Sequence, residues 1–195
     1  MDKKEKEEKY KAQTKDWYAA LGQFVVQFEH VCSNMESCII FALHGDGLRN
    51  QNLAQALLAD LTAAPLLQSF RAIVAELRKN DPEDLRILDD VSKRVAKLIE
   101  DRNEVVHRTW FVGWAAEEQE DFSIVDSWKF KKTRRGPEFK PKSYTATDLD
   151  DLSKNAADLA KIIFRMNGCL GLSRPFSKNF KVEKDGSVQL PEGKQ

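Results

Sequence analysis

Between Trp17 and Ala42 the apolar residues Trp17, Leu21, Phe24, Phe28, Val31, Met35, Ile39 and Ala42 recur every three or four positions. That period places them on one stripe of an α-helix about seven turns long, and it does not fit a strand, whose side chains alternate every two residues. So long a stripe has to be buried against other apolar faces, which commits the chain to helix-on-helix packing. Asp16 is the expected N-cap, and His44-Gly45-Asp46-Gly47 brings turn chemistry at the other end.

The same reading predicts helices over 51–61, from Pro65 to Arg78, from Pro82 to about His107, and from Thr147 to Gly168 or Gly171. Both prolines fit a first helical turn, where no backbone N–H is required. Asp148, Asp150 and Asp151 suit the positive end of the last helix better than a metal site. Between the last two helices, Thr109–Trp114 and Phe122–Phe130 are rich in aromatic and β-branched residues, a strand signature. The predicted fold is mainly α: an antiparallel four- to five-helix bundle with a small β insert at about 109–145. Residues 1–14, a Lys/Glu run, are expected to be a charged, frayed extension of the domain at 15–172, and residues 173–195 a tail or marginal hairpin.

With 31 basic and 31 acidic residues, net charge selects no polyanionic partner, so any nucleic-acid surface must come from local clustering. No apolar run approaches the roughly 18 residues of a membrane span, and the first residues carry no secretory apolar region. Cys32, Cys38 and Cys169 are odd in number, widely spaced and on apolar helix faces, which suits core packing rather than disulfides or zinc. The expectation is a cytoplasmic protein without metal or cofactor.

Chemistry concentrates at Arg102-Asn103-Glu104-Val105-Val106-His107. Leu88, Val95 and Arg102 are heptad-spaced, so Arg102 falls where earlier turns place core residues. A guanidinium cannot shed its charge, so it needs an anion there or an opening to water. The anion is either a structural carboxylate (Glu29, Glu36 and Asp60 are candidates) or a substrate phosphate held bidentately. His107 lies about 140° further around an ideal helix and shares a face with Asn103. It is either a helix-end cap or a proton shuttle. His30 and His44 read as ordinary surface or capping residues, and Trp110 and Trp114 as core-closing rings.

Arg102-Asn103, with His107 five residues after the arginine near the end of a long helix, resembles the signature of the HEPN superfamily. The order of elements over residues 16–172 is similar too. By chance, an Arg-Asn with a correctly placed His is expected about 0.007 times in such a composition. The resemblance implies metal-independent endoribonuclease chemistry: the ribose 2′-hydroxyl attacks the adjacent phosphate, with His107 as general base or acid, Arg102 stabilising the transition state and Asn103 orienting the groups. It also implies a homodimer that pairs two motifs, RNA as partner, and a role as toxin, defence or RNA-processing effector with an antitoxin or other protein partner. A second reading within the family is a non-catalytic dimerisation or binding module.

Residues 128–142 hold seven basic residues (Lys129, Lys131, Lys132, Arg134, Arg135, Lys140, Lys142) against Glu138, an excess of six (7 − 1), interleaved with Trp128, Phe130 and Phe139. The cations are expected to follow an RNA backbone while the rings stack on bases, with Lys129, Lys131, Lys132, Arg134 and Arg135 as contacts. The alternative is a strand edge protected by lysines.

Overall fold

A computed structural model describes residues 3–113, 121, 123–134 and 136–191. The fold is mainly α with a small antiparallel sheet. Its elements are α1 (Lys3–Gly45), α2 (Gln51–Leu58), α3 (Ala63–Leu77), α4 (Pro82–Val106), β1 (Thr109–Trp110), β2 (Ile124–Thr133), β3 (Gly136–Thr145), α5 (Ala146–Gly171), β4 (Lys181–Val182) and β5 (Val188–Gln189). They divide into two compact units, one of residues 1–26 and 101–155, the other of 27–100 and 156–195.

The larger unit holds the helical core. Phe28, Val31, Met35 and Ile39 of α1, Leu66, Phe70 and Val74 of α3, Leu88, Val91, Val95 and Leu98 of α4, and Leu159, Ile163 and Met166 of α5 are all buried. Each fully buried Leu or Phe contributes about 1.5–3 kcal/mol. In this unit the Asn34 amide donates to the Ala160 carbonyl at 2.9 Å and the Cys38 thiol to that of Ile163 at 3.6 Å. The partner numbers rise together, so α1 and α5 run here in the same direction. All three cysteines are buried and none is in a disulfide, and burial pushes the Cys38 and Cys169 thiols up, away from nucleophilic thiolate.

The segment expected as a tail is built into this unit. Phe176, Phe180 and Val188 are buried, and β4 pairs with β5 in a short hairpin. Its lock is Asp84, fully buried in the first turn of α4, whose carboxylate accepts the Phe176 and Ser177 amides at 2.8 and 2.9 Å. Arg78 lies 3.5 Å from the same carboxylate and over the Phe176 ring. Further along α4, Arg94 donates to the Val188 carbonyl and Asp90 accepts the Val188 amide. Charge and turn residues suggest a peripheral segment at 173–195; within it Phe176, Phe180 and Val188 enter the core, the first held by a buried aspartate.

The smaller unit is built around the β insert. The first helix starts at Lys3, so the Lys/Glu run belongs to it and Asp16 lies inside a helix rather than at its cap. An i,i+4 pair, Lys11–Glu7 at 2.7 Å, supports those turns. The Tyr10 hydroxyl donates to the Gly113 carbonyl, and the Gln13 amide to Asp121 at 3.1 Å. Gly113 has φ +82°, and a Cβ there would lie 3.2 Å from the Tyr10 hydroxyl, so glycine suits both the turn and the contact. Helix α5 is opened by Thr145, not Thr147: the Thr145 hydroxyl accepts the Asp148 amide while the Asp148 carboxylate accepts the Thr145 amide. This reciprocal capping box holds the Asp148 carboxyl below its usual range.

Strands β2 and β3, ten residues each, form a hairpin, with β1 along the other edge of β2. Alternation gives it two faces. Val125, Ser127 and Tyr144 on one face are buried; Trp128, Phe130 and Phe139 on the other are exposed.

Candidate functional site at the end of helix α4

Helix α4 keeps its hydrogen-bond ladder through Val106, and the His107 amide still donates to the Asn103 carbonyl at 3.4 Å. The next amide, of Arg108, instead reaches back three residues to Val105, which tightens the chain and ends the helix. Arg102 is half-buried, and Asn103 and His107 are exposed. The Arg102 guanidinium donates to Asn103 Oδ1 at 3.3 Å, so these two side chains act as a pair. The imidazole of His107 follows one turn after Asn103 at the helix end.

Two side chains from the β insert reach carbonyls of this last turn, each of which already accepts a backbone amide. The Trp110 indole donates to the Val105 carbonyl at 2.9 Å, and Lys129 Nζ to that of Asn103 at 3.3 Å. Both also suit the negative end of the helix dipole. Trp110 further packs against Trp17 and Tyr144, at centroid distances of 6.1 and 5.0 Å, a core-closing position as expected. Trp114 lies outside the described residues.

A buried ion pair at this helix end is made by Arg108. Its side chain is only 3 % exposed; it donates to Glu104 and to the Lys140 carbonyl, the latter at 3.0 Å, and its guanidinium lies over the Tyr144 ring. Glu104 also accepts Lys129 at 2.8 Å, and Lys129 foremost, with Arg108 behind it, holds the Glu104 carboxyl below its usual range. The reading of the sequence passed over Glu104 and Arg108. Their i,i+4 spacing was the available signal.

The basic cluster divides. Lys129 is half-buried and committed to Glu104 and the helix end, whereas Lys131 and Arg134 are exposed on the hairpin and its turn. Lys132 pairs across the ribbon with Pro137, and Arg135 lies outside the described residues. Much of the expected interleaving of rings and cations becomes segregation, because a period of two sends four of the lysines to the face opposite the rings, with Lys132 alone at a register position of the ring face. Lys129, Lys131, Lys140 and Lys142 follow the parity of Val125, while Trp128, Phe130 and Phe139 form the other face.

A cleft of about 270 Å³ beside this helix end is lined by Asp101, Glu104, Lys142, Tyr144, Asp148 and Leu152, among others. Glu104 and Asp148 are already engaged in the bonds above, and the volume is below that of ordinary small-molecule sites. A larger cavity, about 930 Å³, lies in the other unit, with Gln27, His30, Asn34, Phe164 and Arg165 among its lining residues. It includes none of the candidate site residues. Among the described residues no cluster of His, Cys, Asp or Glu is arranged to hold a metal ion, and no helix is long and apolar enough to cross a membrane. No protein-family model, curated protein or solved structure matches the chain.

Proposed function

We propose that this chain is a HEPN-like, metal-independent endoribonuclease whose working groups are Arg102, Asn103 and His107. The observation that carries the reading is the division of labour between two arginines at one helix end. Arg108 makes a buried structural ion pair, whereas Arg102, joined to Asn103, is half-buried, and His107 is exposed one turn further on. An arginine, an amide and an imidazole at a surface are a set that binds a phosphodiester and moves a proton.

The 2′-oxygen attacks phosphorus, the P–O5′ bond breaks, and the products are a 2′,3′-cyclic phosphate and a 5′-hydroxyl. His107 takes the 2′ proton or supplies one to the departing 5′-oxygen. Arg102 neutralises charge on the phosphorane-like transition state, and Asn103 holds the guanidinium in place. A homodimer pairing two such helix ends supplies one imidazole as base and the other as acid. The biological setting that fits is a cytoplasmic toxin, defence or RNA-processing effector, restrained where needed by an antitoxin.

The test is incubation of wild type, Arg102→Ala and His107→Ala with labelled RNA in excess EDTA. Wild type is expected to cleave and leave cyclic-phosphate ends, with both variants inactive and folded. Cleavage retained in both variants contradicts the proposal.

A further inference from the structure

Four rings form a continuous row on one face of the sheet. Phe111 packs on Trp128 at 4.5 Å between centroids, Trp128 on Phe139 at 5.1 Å, and Phe139 on Phe130 at 5.4 Å. Trp128 is 42 % exposed, Phe139 46 % and Phe130 70 %, so the row faces water rather than the core. A contiguous exposed aromatic strip of this kind marks a binding surface.

Charge narrows the occupant. Residues 128–142 carry an excess of six positive charges in a chain that is neutral overall, so a second copy of the same hairpin would be repelled and a polyanion attracted. Strand β3 forms the sheet edge and holds Pro137 and Pro141, which cannot donate to an added peptide strand. The hairpin is fastened to the end of α4 by Lys129 on Glu104 and by Arg108 on the Lys140 carbonyl, which joins the strip to the proposed phosphodiester site.

We infer that the Phe111–Trp128–Phe139–Phe130 face is a stacking platform for unpaired RNA bases, making single-stranded RNA the substrate class of the proposed nuclease. The inference rests on that reading for the choice of RNA, but its physical basis is separate. Ring faces stack on bases only when these are unpaired, since a duplex keeps its base faces inside. Arg134, exposed at the turn of the hairpin, is the cation placed to accompany the phosphates.

Binding is tested on full-length His107→Ala protein with a fluorescein-labelled 2′-O-methyl oligoribonucleotide, which lacks the attacking hydroxyl. Its duplex form and phosphatidylserine vesicles serve as comparison probes. The single strand is expected to bind at least about tenfold more tightly than the duplex. Phe130→Ala and Phe139→Ala are each expected to weaken it about tenfold or more, while Phe130→Tyr, which keeps a ring, binds as before. Phe130 is largely exposed, so its alanine variant should melt like the parent. Equal affinity for duplex and single strand, indifference to both alanine variants, or binding to vesicles without RNA overturns the platform. Ring-dependent binding by a wild type that cleaves nothing leaves the platform standing and removes the nuclease. Cleavage without ring-dependent binding does the reverse.

Discussion

Arg102 and Arg108 stand six residues apart at the end of one helix and have opposite surroundings. Arg108 is enclosed by Glu104, the Lys140 carbonyl and the Tyr144 ring, whereas Arg102 lies half-buried at the rim, hydrogen-bonded to Asn103. A buried guanidinium must be satisfied by the fold itself, which leaves it nothing to offer a ligand. A rim guanidinium can exchange its contacts for a phosphate. On the proposed function, the difference separates an arginine that builds the site from one that works in it.

The most forceful way to break this comparison is His107→Ala, expected to lower RNA cleavage by about 10²–10⁴-fold with the melting temperature unchanged. A marked fall in melting temperature would make His107 a helix cap instead. Asp84→Ala gauges what a fully enclosed charge is worth in this chain. It takes the carboxylate from Arg78 and the acceptor from the buried Phe176 amide and the part-buried Ser177 amide, and chemical denaturation should show a loss of about 3–5 kcal/mol. Arg108→Met should cost less, about 1–3 kcal/mol, because Glu104 is 38 % exposed and keeps Lys129. A cost as large as that of Asp84→Ala would mean that Glu104 depends on Arg108 alone.

The smallest effect is on pH dependence. The Glu104 carboxyl is depressed in the folded state, so its contribution is present above the ordinary carboxylate value near 4.5 and is lost as pH falls through the folded value. Glu104→Gln should flatten the acid limb of the stability curve by less than about 1 kcal/mol, given the exposure of the group. An acid limb identical to wild type would remove Glu104 from the account.

Much of the helical fold was legible because the apolar period of α1 and Pro82, which opens α4, are local signals, whereas α3 starts at Ala63, two residues before the Pro65 expected to open it. Boundaries set by distant partners were not. Lys3–Lys15 looked like a tail until Tyr10 and Gln13 meet Gly113 and Asp121, and Phe176 gained its place only through Asp84, 92 residues away in the chain. Thr145 and Thr147 offer the same capping hydroxyl, and which one serves depends on where β3 stops. At the site, Arg102, Asn103 and His107 stood out as residue types. The enclosure of Arg108 depends on β3, and the separation of rings from cations depends on the hairpin register, neither of which a linear charge count contains.

The decisive measurement pairs cleavage rate with melting temperature for Arg102→Ala and Arg108→Met in excess EDTA. Arg102→Ala should abolish cleavage while melting within a degree or two of wild type, and Arg108→Met should melt several degrees lower. If Arg102→Ala cleaves normally, or if it is Arg102→Ala that melts low while Arg108→Met does not, the two arginines have been assigned the wrong roles.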